Sequence, residues 1–400
     1  MPTTALSDVV SSQYTKWMYP EPILDLPDWL SRNWQWFDPS HAHRLFWPTQ
    51  DYRSGMDILV AGCGTNQAAV IAFTNPGAQV VAVDVSQPSL EHHRFLKNKY
   101  GLKNLDLHLL PIEEIGSLNR DFDLIMSTGV LHHMASPETG MKALAACLRP
   151  DGVAAIMLYA KYGRIGVDMM QAVFRDMGLD QSEASIQVVR EVLAALPADH
   201  PVRSYMAIAP DLSYDAGLVD TFLHGRERNY STNDCLDLVA QSGLVFQDWL
   251  FKAPYHPSPM AEGAVARRLA GLRKEQQWSI MEQINFRNGC HFFTACRPDR
   301  ALATYKIDFS LGDAARYIPT LRYRCSIQAQ KICRSDWCLE LSAVEMAVLQ
   351  YADGRRTIED IAAMACASGV IAEAVCSDSL ASVTQLFHKL WTLDFMAMSL

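Results

Sequence analysis

The chain has 400 residues, a formal net charge of −9 and 20% charged residues, which argues against disorder and against a general nucleic-acid binder, since that needs a basic surface. Its length exceeds one ordinary core, so two domains and an N-terminal appendage are expected. No apolar run reaches the roughly 18–20 residues that cross a bilayer, no basic-then-apolar leader opens the chain, and the ten cysteines form no CxxC pair. A cytoplasmic protein with reduced thiols (Cys333 and Cys338 included), no metal and no membrane partner is the expectation.

Residues 1–55 hold five of the nine tryptophans, broken by Pro20, Pro22, Pro27, Pro39 and Pro48. This mixture predicts an irregular arm whose aromatic surface is buried on the next domain, as a lid over its active site. From Met56 the pattern turns to strand, turn, helix, strand. Strands are expected at 57–60, 79–83, 106–110, 122–127 and 153–158, with helices at 87–100 and 138–148 between them. Such alternation predicts an α/β fold: a doubly wound, mostly parallel seven-stranded sheet over residues 56–298. Helical insertions at 160–228 and 260–283 sit on the acceptor side, and the last two strands fall at 244–251 and 290–296. Thr232 reads as the N-cap of a helix that Gly243 ends. Residues 299–400 predict a small, mainly helical domain of winged-helix type: Ser342 and Glu345 form a capping box, Thr357 starts a second helix, and residues 379–391 supply a third.

The informative run is Ile58-Leu59-Val60-Ala61-Gly62-Cys63-Gly64-Thr65-Asn66. A strand turns sharply into a helix there, and glycine allows the backbone to turn while approaching a ligand. Asp84 ends the next strand, where a carboxylate accepts both hydroxyls of a ribose. Downstream come Phe122-Asp-Leu-Ile-Met-Ser-Thr-Gly-Val-Leu-His-His133 and Leu148-Arg-Pro-Asp-Gly152. In this succession the chain resembles the class I S-adenosylmethionine-dependent methyltransferases. The resemblance implies S-adenosylmethionine as cofactor and S-adenosylhomocysteine as product. It places Ala61, Gly62, Cys63 and Gly64 along the methionine moiety and Asp84 on the ribose. Val85, Ile112 and Glu113 then bound the adenine, and Ser127, Thr128 and Gly129 lie beneath the sulfonium. Two departures stand out: Asn66 replaces a frequent third glycine, and Pro111 stands where an Asp often meets the adenine amine. More narrowly, the chain resembles a bacterial group often joined to tetratricopeptide repeats, on Val60–Thr65, Gly129–His133, Gln13-Tyr14 and Tyr19-Pro20. The segment Tyr351–Ile361 is similar to modules that follow some bacterial protein-lysine methyltransferases.

Methyl transfer asks chiefly for alignment of a nucleophile, which can supply about 7–11 kcal/mol of the barrier. A hydroxyl acceptor also needs a base, for which His132 and His133 are candidates, and Tyr14 and Tyr19 are candidates to close over the methyl group. Tyr159, Tyr162, Arg226, Glu227, Arg228 and Tyr230 are further acceptor-side candidates. A basic stretch of Arg316, Arg322, Arg324, Lys331 and Arg334 offers either a solvated face or a dock for an acidic partner. The expected acceptor is a nitrogen or oxygen of a small metabolite. The alternatives are a protein or peptide side chain of lysine type, and a cofactor-binding scaffold without turnover.

Overall fold

The computed structural model describes residues 5–257, 263–310, 312–369 and 379–400. The chain forms two compact units. The first takes the N-terminal arm to Phe37, then Arg53–Asp248 and Trp278–Arg300; the second takes Asp38–Tyr52, Trp249–Gln277 and Ala301–Leu400. The chain therefore passes between units several times rather than once near residue 299, because Asp38–Tyr52 and Trp249–Gln277 pack with the C-terminal part.

In the first unit the strands are β1 Asp57–Ala61, β2 Gln79–Asp84, β3 Leu105–Leu109, β4 Phe122–Thr128, β5 Leu148–Tyr159, β6 Val245–Trp249 and β7 Cys290–Cys296. They form one seven-stranded sheet in the order β3-β2-β1-β4-β5-β7-β6. β1 to β5 run parallel, and β7 lies antiparallel to β5. Nearly every residue of β1, β2 and β4 is buried, as expected of strands covered on both faces. Strand order reverses between β1 and β4, and the crevice beyond their C-terminal ends is where such sheets take ligands.

The arm is more regular than its prolines suggest. Short helices span Val9–Lys16 and Leu26–Arg32 in the first unit and Pro39–Phe46 in the second. Pro27 and Pro39 fall in first turns, where a missing N–H costs nothing, behind the caps Asp25 and Asp38. The insertion after β5 folds as helices Ile165–Asp176, Glu183–Ala195, Val202–Met206 and Asp215–Phe222 around Val167, Phe174, Val189 and Phe222. The helix Thr232–Gln241 is capped by Ser231, one residue before the expected Thr232, because Asp234 completes a capping box with it. Of the second insertion, residues 260–262 lie outside the described residues; the rest forms helices Gly263–Ala270 and Lys274–Ile284.

The second unit holds helices Ala343–Leu349, Ile358–Ala367 and Ser379–Thr392, with capping boxes at Ser342/Glu345 and Thr357/Asp360. Beside them are a three-stranded antiparallel sheet of Ser326–Gln328, Lys331–Cys333 and Cys338–Glu340, and a pair joining Ile318–Leu321 to Met396–Ser399. Strands of three or four residues show no readable periodicity, so sequence reasoning missed them. Cys333 faces Cys338 across one ladder and forms a disulfide, contrary to the expectation of reduced thiols for this pair. In the basic stretch, Arg322 pairs with Asp394, Lys331 with Glu340 and Arg334 with Asp336. These three charges are answered within the unit rather than held out for an acidic partner. No helix among the described residues is long and apolar enough to cross a membrane.

Candidate active site

The turn after β1 has the geometry its glycines require. Gly62 and Gly64 have φ of 76° and 52°, and a Cβ on Gly62 would lie 2.4 Å from Val130 Cγ2. Gly62 N and Cys63 N both donate to Val83 O, at 2.9 and 3.1 Å, tying this turn to the end of β2. There Asp84 Oδ2 accepts from Gly64 N and Oδ1 from Ser86 N, each at 2.8 Å. These bonds hold the carboxylate in one orientation at the end of β2. Burial raises its pKa to about 6 against the effect of those bonds.

Ala61 and Cys63 are buried, and Val85 is half-buried. Burial pushes the Cys63 thiol well up, so it is no thiolate. Ile112 is buried at the start of a short 3-10 helix, whereas Glu113 is exposed. At the end of β4, Ser127 Oγ is buried without a hydrogen-bond partner among the described residues, and Thr128 Oγ1 accepts from Gln67 Nε2 at 3.0 Å. Gly129 turns the chain with φ of 75°. A turn of two glycines at positive φ, an oriented carboxylate and an unanswered buried hydroxyl fit a nucleoside-bearing cofactor.

The arm is bound to this turn. Thr65 Oγ1 donates to Pro20 O at 2.6 Å, and Ser86 Oγ donates to Tyr14 O at 3.0 Å. Asn66 donates through Nδ2 to Glu21 O at 2.8 Å and accepts from Ile23 N at 2.9 Å. Asn66 thus departs from the family pattern for a reason: its amide closes a two-way clamp on the arm, which glycine cannot do. Further back, the helix Val9–Lys16 is fixed to the insertion. Gln13 Oε1 accepts from Gln181 Nε2 at 2.6 Å, Trp17 Nε1 donates to Gln181 O at 3.2 Å, and Asp8 pairs with Arg226. The arm expected as a lid is thus bonded to the cofactor turn and to the insertion.

On the acceptor side the arm and the insertion meet at a carboxylate that sequence reasoning did not single out. Tyr14 Oη donates to Asp220 Oδ1 at 2.7 Å and Tyr159 Oη to Asp220 Oδ2 at 3.1 Å. Tyr19 Oη donates to Asp211 Oδ2 at 2.8 Å. Burial raises Asp220 to about 6, while burial and then Asp220 hold the Tyr14 and Tyr159 hydroxyls well above their usual range, so both remain donors. The available signal was a carboxylate within the apolar run Leu218-Val219-Asp220-Thr221-Phe222, where it is buried and needs partners.

The two histidines stand beside this cluster. His132 stacks on Tyr159 with centroids 3.9 Å apart, and its Nδ1 accepts from Tyr159 N at 3.4 Å. His133 Nδ1 donates to Arg226 O at 3.0 Å, and its ring stacks on His224 at 3.8 Å. Burial lowers His132 well below its usual range and His133 to about 4, so both are neutral at physiological pH. Each Nε2 is buried and without a hydrogen-bond partner among the described residues. His133, Asp220 and His224 bring ligand atoms within 4.8 Å of one another. His224 Nδ1 accepts from Arg226 N, however, so its Nε2 carries the proton and offers a cation no lone pair.

The remaining acceptor-side candidates make contacts within the domain. Glu227 takes both its oxygens to Arg164 Nη2 at 2.9 Å. Arg164 is fully buried, with Cζ 3.7 Å from the centroid of Tyr159. Burial works against its charge, but Glu227 outweighs that and holds its pKa above the usual value. Arg226 is spent on Asp8 and His133 O, and Arg228 on Glu138. Tyr230 bonds the end of β5 through its main chain, and Tyr162 is half-buried with Lys161 over its ring.

Residues 59–154 match the family model described as a methyltransferase domain. Over 291 residues the chain is 27% identical to an uncharacterized protein of Synechococcus sp., covering 70% of this chain and 69% of that one. It is 30% identical over 125 residues to the ubiquinone biosynthesis O-methyltransferase of Bordetella bronchiseptica, covering 29% of this chain and 50% of that enzyme. Among solved structures, PKMT2 from Rickettsia typhi superimposes with a TM-score of 0.67 at 17% identity, over 95% of this chain and 77% of that one, which shows a shared fold. The chain spans only half the length of the ubiquinone enzyme, so that enzyme's substrate does not carry over. Sheet order, glycine turn and acidic strand end agree with the family match: residues 59–154 carry a methyltransferase domain of the Rossmann-like, S-adenosylmethionine-dependent kind.

Proposed function

We propose that this domain methylates the nitrogen of a small-molecule amine. The observation that carries the reading is Asp220, a buried carboxylate held between the hydroxyls of Tyr14 and Tyr159. It lies on the arm-and-insertion side of the crevice, past the end of β5. When bound, the sulfonium supplies an electrophilic methyl group that a nitrogen lone pair can take directly. Gly62 and Gly64 with their neighbours Ala61 and Cys63, the Asp84 carboxylate, Val85, Ile112 and the Ser127–Gly129 turn are the groups that would hold the cofactor. Asp220 attracts an ammonium group, and desolvation at that site lowers the ammonium pKa toward that of the carboxylate. Its proton passes to Asp220, leaving a neutral amine. Tyr14 and Tyr159 orient the carboxylate, and neutral His132 and His133 exclude water. A hydroxyl acceptor fits less well, since a carboxyl titrating at about 6 is a weak base for an alcohol.

A lysine side chain of a protein presents the same amine, and the second compact unit of the chain favours it as a second reading. A panel of n-butylamine, cadaverine, free lysine and a lysine-containing peptide, beside matched alcohols, tests both. Methylated amine products that disappear in Asp220→Asn support the proposal. Products from the alcohols alone, or an undiminished amine kcat/KM in Asp220→Asn, overturn it.

A further inference from the structure

Arg164 is the N-cap of the helix Ile165–Asp176, yet its side chain makes no capping bond. Helix starts favour Ser, Thr, Asp or Asn, and a cation there opposes the helix dipole. The side chain is also fully buried, where a charge is costly and an ion pair, here with Glu227, adds little stability over an apolar core. Nη1 donates to Tyr205 Oη and Nη2 to Glu227, but Nε has no hydrogen-bond partner among the described residues. Neither the helix nor the core asks for arginine at this position.

What the guanidinium does is close one face of Tyr159. Its Cζ stands 3.7 Å from the ring centroid, and His132 stacks 3.9 Å from the same centroid. Two flat groups so near one centroid cannot share a face, so the phenol is clamped between them. Its hydroxyl donates to Asp220 Oδ2. We propose that Arg164 is a positioning residue of the acceptor site, aiming and strengthening this bond so that Asp220 stays ionised to receive a proton. A cation on the ring face draws electron density from the phenol, which makes the hydroxyl a stronger donor. Its field also acts on the carboxylate directly. Burial raises the Asp220 pKa most, the Tyr14 and Tyr159 bonds and Arg164 lower it, and Asp211 raises it. His133 and His224 lie beside Asp220 and are held neutral by burial. Burial likewise keeps the phenols of Tyr19, Tyr205 and Tyr214 neutral, with the charge of Asp220 acting in the same sense. Arg164 thus supplies positive charge that offsets burial. On the reading of Asp220 as proton acceptor, on which this rests, the carboxylate must be ionised before an ammonium group can pass it a proton.

NMR of the full chain, isotope-labelled at the aspartate carboxyl carbons, follows the titration without substrate. The Asp220 signal is the one lost in Asp220→Asn, and in the parent its midpoint should lie near 6. The double variant Arg164→Met/Glu227→Met removes both charges of the pair and leaves no lone buried ion. It should raise the midpoint by about one pH unit. Glu227→Gln leaves the cation unopposed and should lower the midpoint. Amine kcat/KM should follow, about fivefold below the parent at pH 6 in the double variant and equal to it at about pH 8. A merely structural loss would lower it at every pH. Thermal unfolding certifies each fold, and if one variant fails to fold the other decides alone. Unmoved midpoints in the folded variants overturn the proposal. Midpoints that move while the rate limb stays put uphold the role of Arg164 and overturn instead the reading of Asp220 as proton acceptor.

Discussion

Gly64 and Asp84 stand 20 residues apart and meet through one strand–helix–strand unit, whereas Asp220 meets Tyr14 across 206 residues of sequence. The cofactor turn draws its geometry from backbone: two glycines at positive φ, two main-chain amides on one carbonyl and two more on one carboxylate. The acceptor cluster draws its geometry from side chains on three separate elements, the arm helix, β5 and the helix Asp215–Phe222. A turn of the first kind tolerates change around it and little change within it. A cluster of the second kind is only as well placed as the elements that bring it together.

That contrast orders the experiments. The largest effect should come from removing residues 1–22. If the arm were a lid, turnover would fall and stability would not. As a wall it carries the Asp8–Arg226 pair and the Gln13, Tyr14 and Tyr19 bonds, several of them to charged groups worth roughly 1.5–3 kcal/mol each. The melting temperature should therefore drop by about 10 °C or more, at roughly 2–4 °C per kcal/mol for a domain of this size. An unchanged melt with lost turnover supports the lid.

Next is Gly62→Ala. Left-handed strain of about 1–2 kcal/mol adds to overpacking of about 1–3 kcal/mol against Val130. Calorimetry with S-adenosylhomocysteine should show affinity about 100-fold weaker, by the conversion of about 1.4 kcal/mol per decade. Asp84→Ala should weaken the same binding through lost charged-group bonds, about 1.5–3 kcal/mol each. Unchanged affinity in either folded variant removes that residue from the cofactor site.

Asp220→Asn should separate the two regions, leaving cofactor affinity within about twofold while amine kcat/KM falls about 100-fold, the usual scale for a positioned acid–base group. Since Asp220 titrates near 6, amine kcat/KM should rise as pH passes upward through about 6, and the variant should lack that limb. Stability has the opposite sign. The folded-state pKa lies above the ordinary carboxyl value of 3.8, so protonation favours the fold. That contribution is full below about pH 4 and is lost as pH rises through about 6. Unfolding midpoints of Asp220→Asn should be flatter across this window. The smallest change is Asn66→Gly, which gives up two arm bonds of about 1 kcal/mol each and should lower the melt by a few degrees with the glycine turn intact.

The same contrast governs what was legible in the sequence. β1, the glycine turn and Asp84 could be read because apolar runs, glycines and an acidic strand end are local features. The helices of the insertion were legible as a class, but not the inward turn of Asp220, since one helix cannot show which of its faces meets the arm. Arg226, Glu227 and Arg228 stood as acceptor-side candidates or a solvated charge cluster, because their partners Asp8, Arg164 and Glu138 lie 218, 63 and 90 residues away. Asn66 looked like an eroded glycine until its contacts with Glu21 and Ile23 appeared. The prolines of the arm were read as breakers, although two of them begin helices.

Tyr14 offers its carbonyl to Ser86 beside the cofactor turn and its hydroxyl to Asp220 in the insertion. One residue is thus a shared part of two otherwise separable pieces, and this limits how the domain can be recombined. An insertion moved onto a related methyltransferase without residues 8–23 would arrive with Asp220 lacking Tyr14 and Gln181 lacking Gln13 and Trp17, and the arm moved alone would lose the same bonds. On the proposed reading, acceptor choice is carried by a pair of segments that must be exchanged together.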